Sequence, residues 1–249
     1  TLDNNLGRIL KIMLKTPRYR NYQYSNRPDL KAHAELARKA ATQGIVLLKN
    51  EECLPLNVSA NCAIFGNSGY DIIIGGTGSG DVNEAYRVSL FDGIKNVGLI
   101  PDPGLELLYK SYLESAALEK RPPSNPLAAL LGGKEPLPEM PVSVELAARM
   151  AESSGIAVIV IGRNAGEGVD RQAVEGDFYL TDIETMMIER VTEAFHSADK
   201  RVVVIMNIAG AIETASWKDK VDAVICAWQP GQEAGNSIAD ILIGKENPS

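Results

Sequence analysis

The sequence predicts an α/β fold, in which a mostly parallel, doubly wound sheet carries helices on both faces. Short, unbroken hydrophobic runs recur along the chain, and segments with helical spacing separate several of them. Strands covered on both faces are typically continuous apolar runs, and alternation of strands with helices indicates a parallel sheet. The predicted strands are residues 45–48, 62–65, 156–161, 202–206 and 221–227.

The helices are predicted from apolar positions that recur every three or four residues. They cover residues 2–14, 29–43, 105–118, 144–153, 181–197 and 232–243. The fifth begins with Thr181 and Glu184, which match the capping-box pattern. Residues 16–28 show no periodicity and are predicted to be a linker. Residues 121–141 contain six prolines and two glycines, which favours an exposed insertion or a long loop.

Composition and charge exclude several classes of protein. A chain of 249 residues corresponds to one large domain or to one domain with an appendage. The formal net charge of −7 disfavours a general nucleic-acid-binding protein. Every apolar run is shorter than the roughly 18 residues that a membrane span needs. The three cysteines form no CxxC pair and lie near no histidine, so we expect no zinc site. No other metal-binding pattern emerges, and we expect no cofactor.

Ligands of doubly wound sheets bind beyond the carboxyl ends of the strands. Three loops follow predicted strands there, at residues 66–83, 162–179 and 207–216. We therefore expect the functional residues to lie in these loops.

The first loop contains four glycines within residues 75–80. It lacks the Gly-Lys-Ser/Thr ending of a P-loop, and about ten residues separate it from Phe65, unlike in a Rossmann fingerprint. Asp81 would also repel a phosphate. Two interpretations remain: a flexible surface turn, or a loop that presents Ser79 to a neutral polar ligand. We favour the second.

The second loop places Glu167 between two glycines, at the mouth of the expected crevice. From spacing alone, a solvated glutamate is the simpler interpretation. The alternative is a proton donor whose pKa is raised by its surroundings. Asp170 and Arg171 follow, and they suit either sugar hydroxyls or a structural ion pair.

The remaining candidates receive structural interpretations. His33 and His196 are predicted to be ordinary helix residues, since no serine or carboxylate pattern surrounds them. Trp217 and Trp228 flank the last strand, and we expect them in the core or at an interface.

Several motifs resemble those of glycoside hydrolase family 3, in particular its bacterial β-glucosidases. They are GIVLLKN at residues 44–50, GGTGSGD at 75–81, GEGVDR at 166–171, GDFYL at 176–180 and WQPGQEAG at 228–235. The resemblance implies that residues 1–27 are the last helix of a preceding TIM barrel plus a linker. Residues 28–249 would be the α/β sandwich domain that borders the barrel's active site.

The resemblance also implies chemical roles. Glu167 would be the general acid/base of a retaining β-glucosidase, and Ser79 would contact the sugar. Asp170 and Arg171 would support the loop and the substrate subsite. The nucleophile would lie on the barrel, outside these 249 residues, so we expect the isolated chain to be an inactive fragment. Its partners would be a β-glucoside or oligosaccharide and the barrel of the same parent protein.

Two other functions remain open. The first is a noncatalytic carbohydrate-binding or interaction domain with the same fold. The second is a nucleotide-binding α/β domain, which the missing phosphate motif disfavours.

Overall fold

The computed structural model describes residues 1–119, 137–166 and 170–249. They form two compact units, Thr1–His33 and Ala34–Ser249. The first unit contains helix α1 (Leu2–Met13), none of whose residues is buried. Its apolar side chains recur at helical spacing and are largely exposed, namely Leu2, Leu6, Ile9, Leu10 and Met13.

The second unit has the predicted α/β architecture. Helix α2 (Leu30–Gly44) begins in the first unit and ends in the second. The strands are β1 (Val46–Asn50), β2 (Asn61–Phe65), β3 (Ile100–Pro101), β4 (Ile156–Arg163), β5 (Arg201–Ile208) and β6 (Ala223–Cys226). The remaining described helices are α3 (Leu90–Asn96), α4 (Pro103–Glu119), α5 (Val144–Ser153), α6 (Asp182–Ser197) and α7 (Ala234–Leu242).

The strands form one six-stranded sheet in the order β1-β6-β5-β4-β2-β3. All neighbours are parallel except β1, which pairs antiparallel with β6 at the sheet edge. The longest pairing joins β4 to β5, from Ile156 opposite Arg201 to Arg163 opposite Ile208. The prediction of a mostly parallel sheet is confirmed.

A hydrophobic core lies on each face of the sheet. Strand β4 serves both cores, because Ala157, Ile159 and Ile161 join one and Ile156, Val158 and Val160 join the other. Helices α4, α5 and α6 cover the first face, and α3 and α7 cover the second. The unbroken apolar runs in the sequence therefore arise because both faces of the strands are buried.

Polar side chains fix the starts of several helices. Thr181 and Glu184 form both halves of the predicted capping box at the start of α6, which confirms that prediction. The Ser89 side chain accepts a hydrogen bond from the Asp92 backbone at α3, and Ser143 accepts one from Leu146 at α5. These bonds satisfy backbone N–H groups that have no partner within the helix.

Two details differ from the sequence prediction. Helix α3 and strand β3 were not predicted, because they have seven and two residues, too few to show a period. The insertion predicted at residues 121–141 lies mostly outside the described residues. At its described end, Pro138 and Pro141 are exposed, whereas Met140 is buried in the core against the sheet.

Candidate functional site

The sheet contains one point where the strand order reverses, between β2 and β4. From β2 the chain moves outward to β3, whereas β4, β5 and β6 follow one another in the opposite direction. The loops that leave β2 and β4 follow the carboxyl ends of these strands on either side of this point, where the topology leads us to expect a crevice. This is the position where doubly wound sheets bind ligands.

The structure brings the two loops predicted to be functional together in this crevice. The Thr77 backbone N–H donates to the Ala165 carbonyl at 3.2 Å, and Thr77 and Gly166 form an isolated parallel β-bridge. Any side chain on Gly166 would collide with Thr77 Oγ1. Glycine at position 166 is thus required by the close approach of the two backbones.

Beyond Thr77, the glycine-rich loop forms a short 3₁₀ turn at Gly78–Gly80. Ser79 lies on this turn and is exposed. The turn places Ser79 two residues after the bridge to the second loop. Ser79 thus lies on the short turn that directly follows the contact between the two loops.

Glu167 lies outside the described residues. The described chain reaches Gly166 on one side and resumes at Asp170 on the other. Asp170 is exposed, and its backbone carbonyl accepts a hydrogen bond from Gln172 Nε2 at 3.1 Å. The proposed roles of Glu167, Ser79, Asp170 and Arg171 toward a substrate remain predictions.

Arg171 forms the structural ion pair that was one of its two interpretations. Its guanidinium donates to the Asp177 carboxylate and to the Ala209 carbonyl. Asp177 also accepts the Gln172 backbone N–H at 2.6 Å. Burial acts to raise the pKa of Asp177, but the bonds from Gln172 and Arg171 outweigh it and lower that pKa. The segment after Glu167 is thereby tied to the exit of β5.

A buried ion pair that the sequence analysis missed supports the same loop. Arg163, the last residue of β4, makes two hydrogen bonds to Glu184, at 2.5 and 2.6 Å. Its Nε also donates to the Asp177 carbonyl at 3.0 Å. An arginine at the end of an apolar run, with a capping-box glutamate downstream, is the signal that could have revealed it. The pair joins β4, α6 and the loop between them.

Two amides hold the neighbouring loops, and the sequence analysis singled out neither. Asn207 is fully buried at the end of β5 and bonds both backbone groups of Ile73, at 2.7 and 2.8 Å, and the Trp228 carbonyl at 2.8 Å. Gln229 Nε2 donates to the Gly75 carbonyl at 3.0 Å and to Asn164 Oδ1 at 2.9 Å. Three loops thus meet through side-chain amides.

The carboxyl group of Glu139 lies at the carboxyl end of β2, against the backbone of Asn67. Glu139 is mostly buried and accepts the backbone N–H groups of Asn67 and Met140, both at 2.9 Å. Burial raises the pKa of Glu139 to about 7, although these two hydrogen bonds oppose the rise. Because its carboxylate accepts from the backbone of the β2 exit at Asn67 and from its own segment at Met140, we interpret Glu139 as a structural group that fixes the turn after β2.

The other candidate residues lie apart from these contacts. His196 is not isolated from carboxylates as the sequence suggested, since its Nε2 lies 2.8 Å from the buried Asp222. Trp217 is buried, whereas Trp228 is 42% exposed and so does not belong to the core. Among the described residues, no group of three His, Cys, Asp or Glu side chains could hold a metal ion. None of the helices in the described ranges has the length and hydropathy to span a membrane.

Comparison with known proteins gives a consistent result. Residues 45–249 match the family model described as the glycosyl hydrolase family 3 C-terminal domain. The chain is 35% identical to beta-glucosidase A of Butyrivibrio fibrisolvens over 87% of its length, and 31% identical to thermostable beta-glucosidase B of Acetivibrio thermocellus over all of it. These matches cover 28% and 29% of the two relatives, so the chain spans less than a third of either.

A solved structure shows the same fold. Beta-glucosidase 3B from Thermotoga neapolitana, in complex with α-D-glucose, superimposes with a TM-score of 0.87 at 42% identity. The match covers 96% of this chain and 33% of that one.

Proposed function

Because the chain belongs to glycoside hydrolase family 3, as a C-terminal domain, we propose that it is the second domain of a retaining β-glucosidase. The parent enzyme would hydrolyse terminal β-D-glucosyl residues of β-glucosides or oligosaccharides. Glu167 would be its general acid/base, and Ser79 would contribute to the glucose subsite. Asp170 and Arg171 would support that subsite from the other side of Glu167.

One observation carries this proposal: the pairing of the two loops at the point where the strand order reverses. The bridge between Thr77 and Gly166 joins the loop of Ser79 to the residue that immediately precedes Glu167. A sugar contact and a proton donor are thus anchored to each other through the backbone. A site built in this way suits a reaction that needs the two groups at fixed relative positions.

The mechanism requires a second carboxylate, which the proposal assigns to a barrel in the same parent protein. In retaining glycosidases the two carboxyl groups lie about 5–5.5 Å apart. The nucleophile attacks the anomeric carbon while the Glu167 carboxylic acid gives its proton to the departing oxygen. Glu167, now a carboxylate, then takes a proton from water, and that water displaces the nucleophile from the sugar.

Glu167 must therefore change protonation state within each cycle. The negative charge of the nearby nucleophile raises the pKa of the acid before the first step. Formation of the glycosyl ester removes that charge and lowers the pKa again, which favours the base needed for the second step. This alternation requires only that the two carboxyl groups lie close together, whichever domain supplies each of them.

Helix α1 supports the assignment of a barrel partner. Its apolar side chains lie at helical spacing and none is buried within the described chain. Such a face is typical of a helix that packs on another domain. In this proposal residues 1–27 are the last helix of the barrel and its linker, and residues 28–249 are the domain that carries the acid.

The test is Glu167→Ala in the full-length parent protein. Without a proton donor, kcat/KM on phenyl β-glucoside should fall by about 10²–10⁴-fold. On 2,4-dinitrophenyl β-glucoside, whose leaving group needs no proton, the glycosyl-enzyme should accumulate. Azide should restore turnover and yield β-glucosyl azide, whose configuration reports retention.

Glu175→Gln is the matched control, because Glu175 is an exposed glutamate of the same loop. This substitution should leave kcat/KM for both substrates unchanged. If Glu167→Ala behaves like this control, the loop is not catalytic, and the noncatalytic carbohydrate-binding function takes the place of the proposal.

A further inference from the structure

We propose that Gln229 is a positioning residue, which holds the acid/base loop and the glucose-binding loop at a fixed separation. The inference rests on the proposed function, since it concerns the geometry of the same site. It begins from the two hydrogen bonds of Gln229 Nε2, to the Gly75 carbonyl and to Asn164 Oδ1. A primary amide has two N–H donors, and Gln229 uses one on each loop.

The two acceptors lie at the bases of the two functional segments. Gly75 is four residues before Ser79, and Asn164 is three residues before Glu167. Asn164 Oδ1 also accepts the Ala165 backbone N–H at 2.8 Å, which fixes its orientation toward Gln229. A movement of either loop away from the other would therefore stretch a hydrogen bond of Gln229.

The backbone around Gln229 is held firmly enough to act as a support. The carbonyl of Trp228 accepts from the buried Asn207 at 2.8 Å, and the Gly231 N–H donates to the Ile74 carbonyl at 2.9 Å. Trp228 has a φ of 56°, a conformation uncommon for a bulky residue. Gln229 thus extends from an anchored segment at the end of β6, two strands away from β4.

This arrangement predicts a specific kinetic defect. A loop displaced by about 1 Å can cost roughly 10²-fold in rate when it carries a reacting group. Proton donation limits cleavage only when the leaving group is poor. Loss of Gln229 should therefore harm poor substrates far more than activated ones, whereas a general loss of folded enzyme would lower the rate on all substrates equally.

The experiment measures kcat/KM for aryl β-glucosides, from 2,4-dinitrophenyl to unsubstituted phenyl, in the full-length parent protein. Gln229→Met removes both donors at similar size. We expect a fall of about 10–100-fold on phenyl β-glucoside and at most a few-fold change on the dinitrophenyl substrate. Gln229→Glu, which keeps the shape but cannot donate when ionised, should show the same dependence on the leaving group.

Gln43→Met is the matched control, since Gln43 is an exposed glutamine on α2, and it should leave the whole series unchanged. Asn164→Leu removes the acceptor on the acid/base loop and should reproduce the defect of Gln229→Met. Asn164→Asp keeps an acceptor oxygen and should preserve the wild-type dependence. The Asn164 pair decides the question even where a Gln229 variant does not fold.

The inference is overturned if Gln229→Met and Asn164→Leu lower kcat/KM by one common factor for all substrates, or leave kcat/KM unchanged for all of them. It fails separately from the proposed function. A loss in Glu167→Ala with an unchanged profile in the Gln229 and Asn164 variants would reject the positioning role alone. No loss in Glu167→Ala would reject the function itself.

Discussion

Asn207 is buried and holds a loop of the crevice through three partly buried hydrogen bonds. Its side chain bonds both backbone groups of Ile73 and the Trp228 carbonyl, so it pairs with Ile73 as a neighbouring strand would. Leucine at position 207 has a similar volume but offers no partner to these three groups. A buried backbone group that loses its partner costs about 1–3 kcal/mol.

Because these groups are only partly buried, we expect Asn207→Leu to lower the free energy of unfolding by about 1–3 kcal/mol. Urea denaturation followed by circular dichroism measures it. Asn61→Leu is the control, because Asn61 is exposed at the start of β2, and its effect should stay within about 0.5 kcal/mol. Equal effects of the two substitutions would contradict this account of Asn207.

Glu139 should make the stability depend on pH between about 4.5 and 7. Its pKa rises from 4.5 to about 7 on folding, mainly because of burial. The folded protein therefore binds more protons than the unfolded chain in this range, and stability falls as the pH rises through it. The shift corresponds to roughly 3 kcal/mol.

Glu139→Gln should remove this pH dependence and stabilise the protein at pH 8, since an amide oxygen can still accept from Asn67 and Met140. The measurement is the difference in unfolding free energy between the two proteins at several pH values. A difference that does not vary from pH 4.5 to 8 would show that Glu139 does not titrate as described.

At the scale of elements, the sequence analysis predicted the strands and helices that show a regular pattern. It missed the very short elements and the contacts made by single side chains. Strands β4 and β5 were found because burial on both faces makes them continuous apolar runs. Strand β3 has two residues, one of them a proline, and leaves no pattern. Two of the loops predicted to be functional lie side by side in the structure, yet Asn207 and Gln229 were missed because a long-range hydrogen bond leaves no local signal.

The ion pair of Arg163 and Glu184 joins β4 to the capping box of α6, and breaking it should be costly. Arg163→Met leaves the buried Glu184 carboxylate without its cation, for which about 3–5 kcal/mol is expected. In the double variant Arg163→Met, Glu184→Leu neither charge of this pair remains, so the loss should be smaller than the sum of the single losses.

A double-mutant cycle from urea denaturation measures this coupling. Arg149→Met, at an exposed position of α5, is the control for replacing arginine as such and should cost less than about 0.5 kcal/mol. Additive effects of the two buried substitutions would show that Arg163 and Glu184 do not act as a pair.

For the whole molecule, the residues needed for folding lie within this chain, whereas the proposed catalytic site needs a second domain. The sheet has a hydrophobic core on each face, so the second unit has what a domain needs to fold independently. The sequence includes one half of the proposed catalytic pair, Glu167. The chain also spans less than a third of the two curated relatives, which is consistent with a site completed by another domain.

The isolated chain should therefore fold but not catalyse. We expect cooperative thermal unfolding and no detectable hydrolysis of 2,4-dinitrophenyl β-glucoside, because even this activated substrate needs the nucleophile of a second domain. Glu167→Gln should change neither result, since the acid has no nucleophile to assist. Turnover by the isolated chain that disappears in Glu167→Gln would show instead that these 249 residues contain a complete site, and the nucleophile would then have to be sought among their own carboxylates.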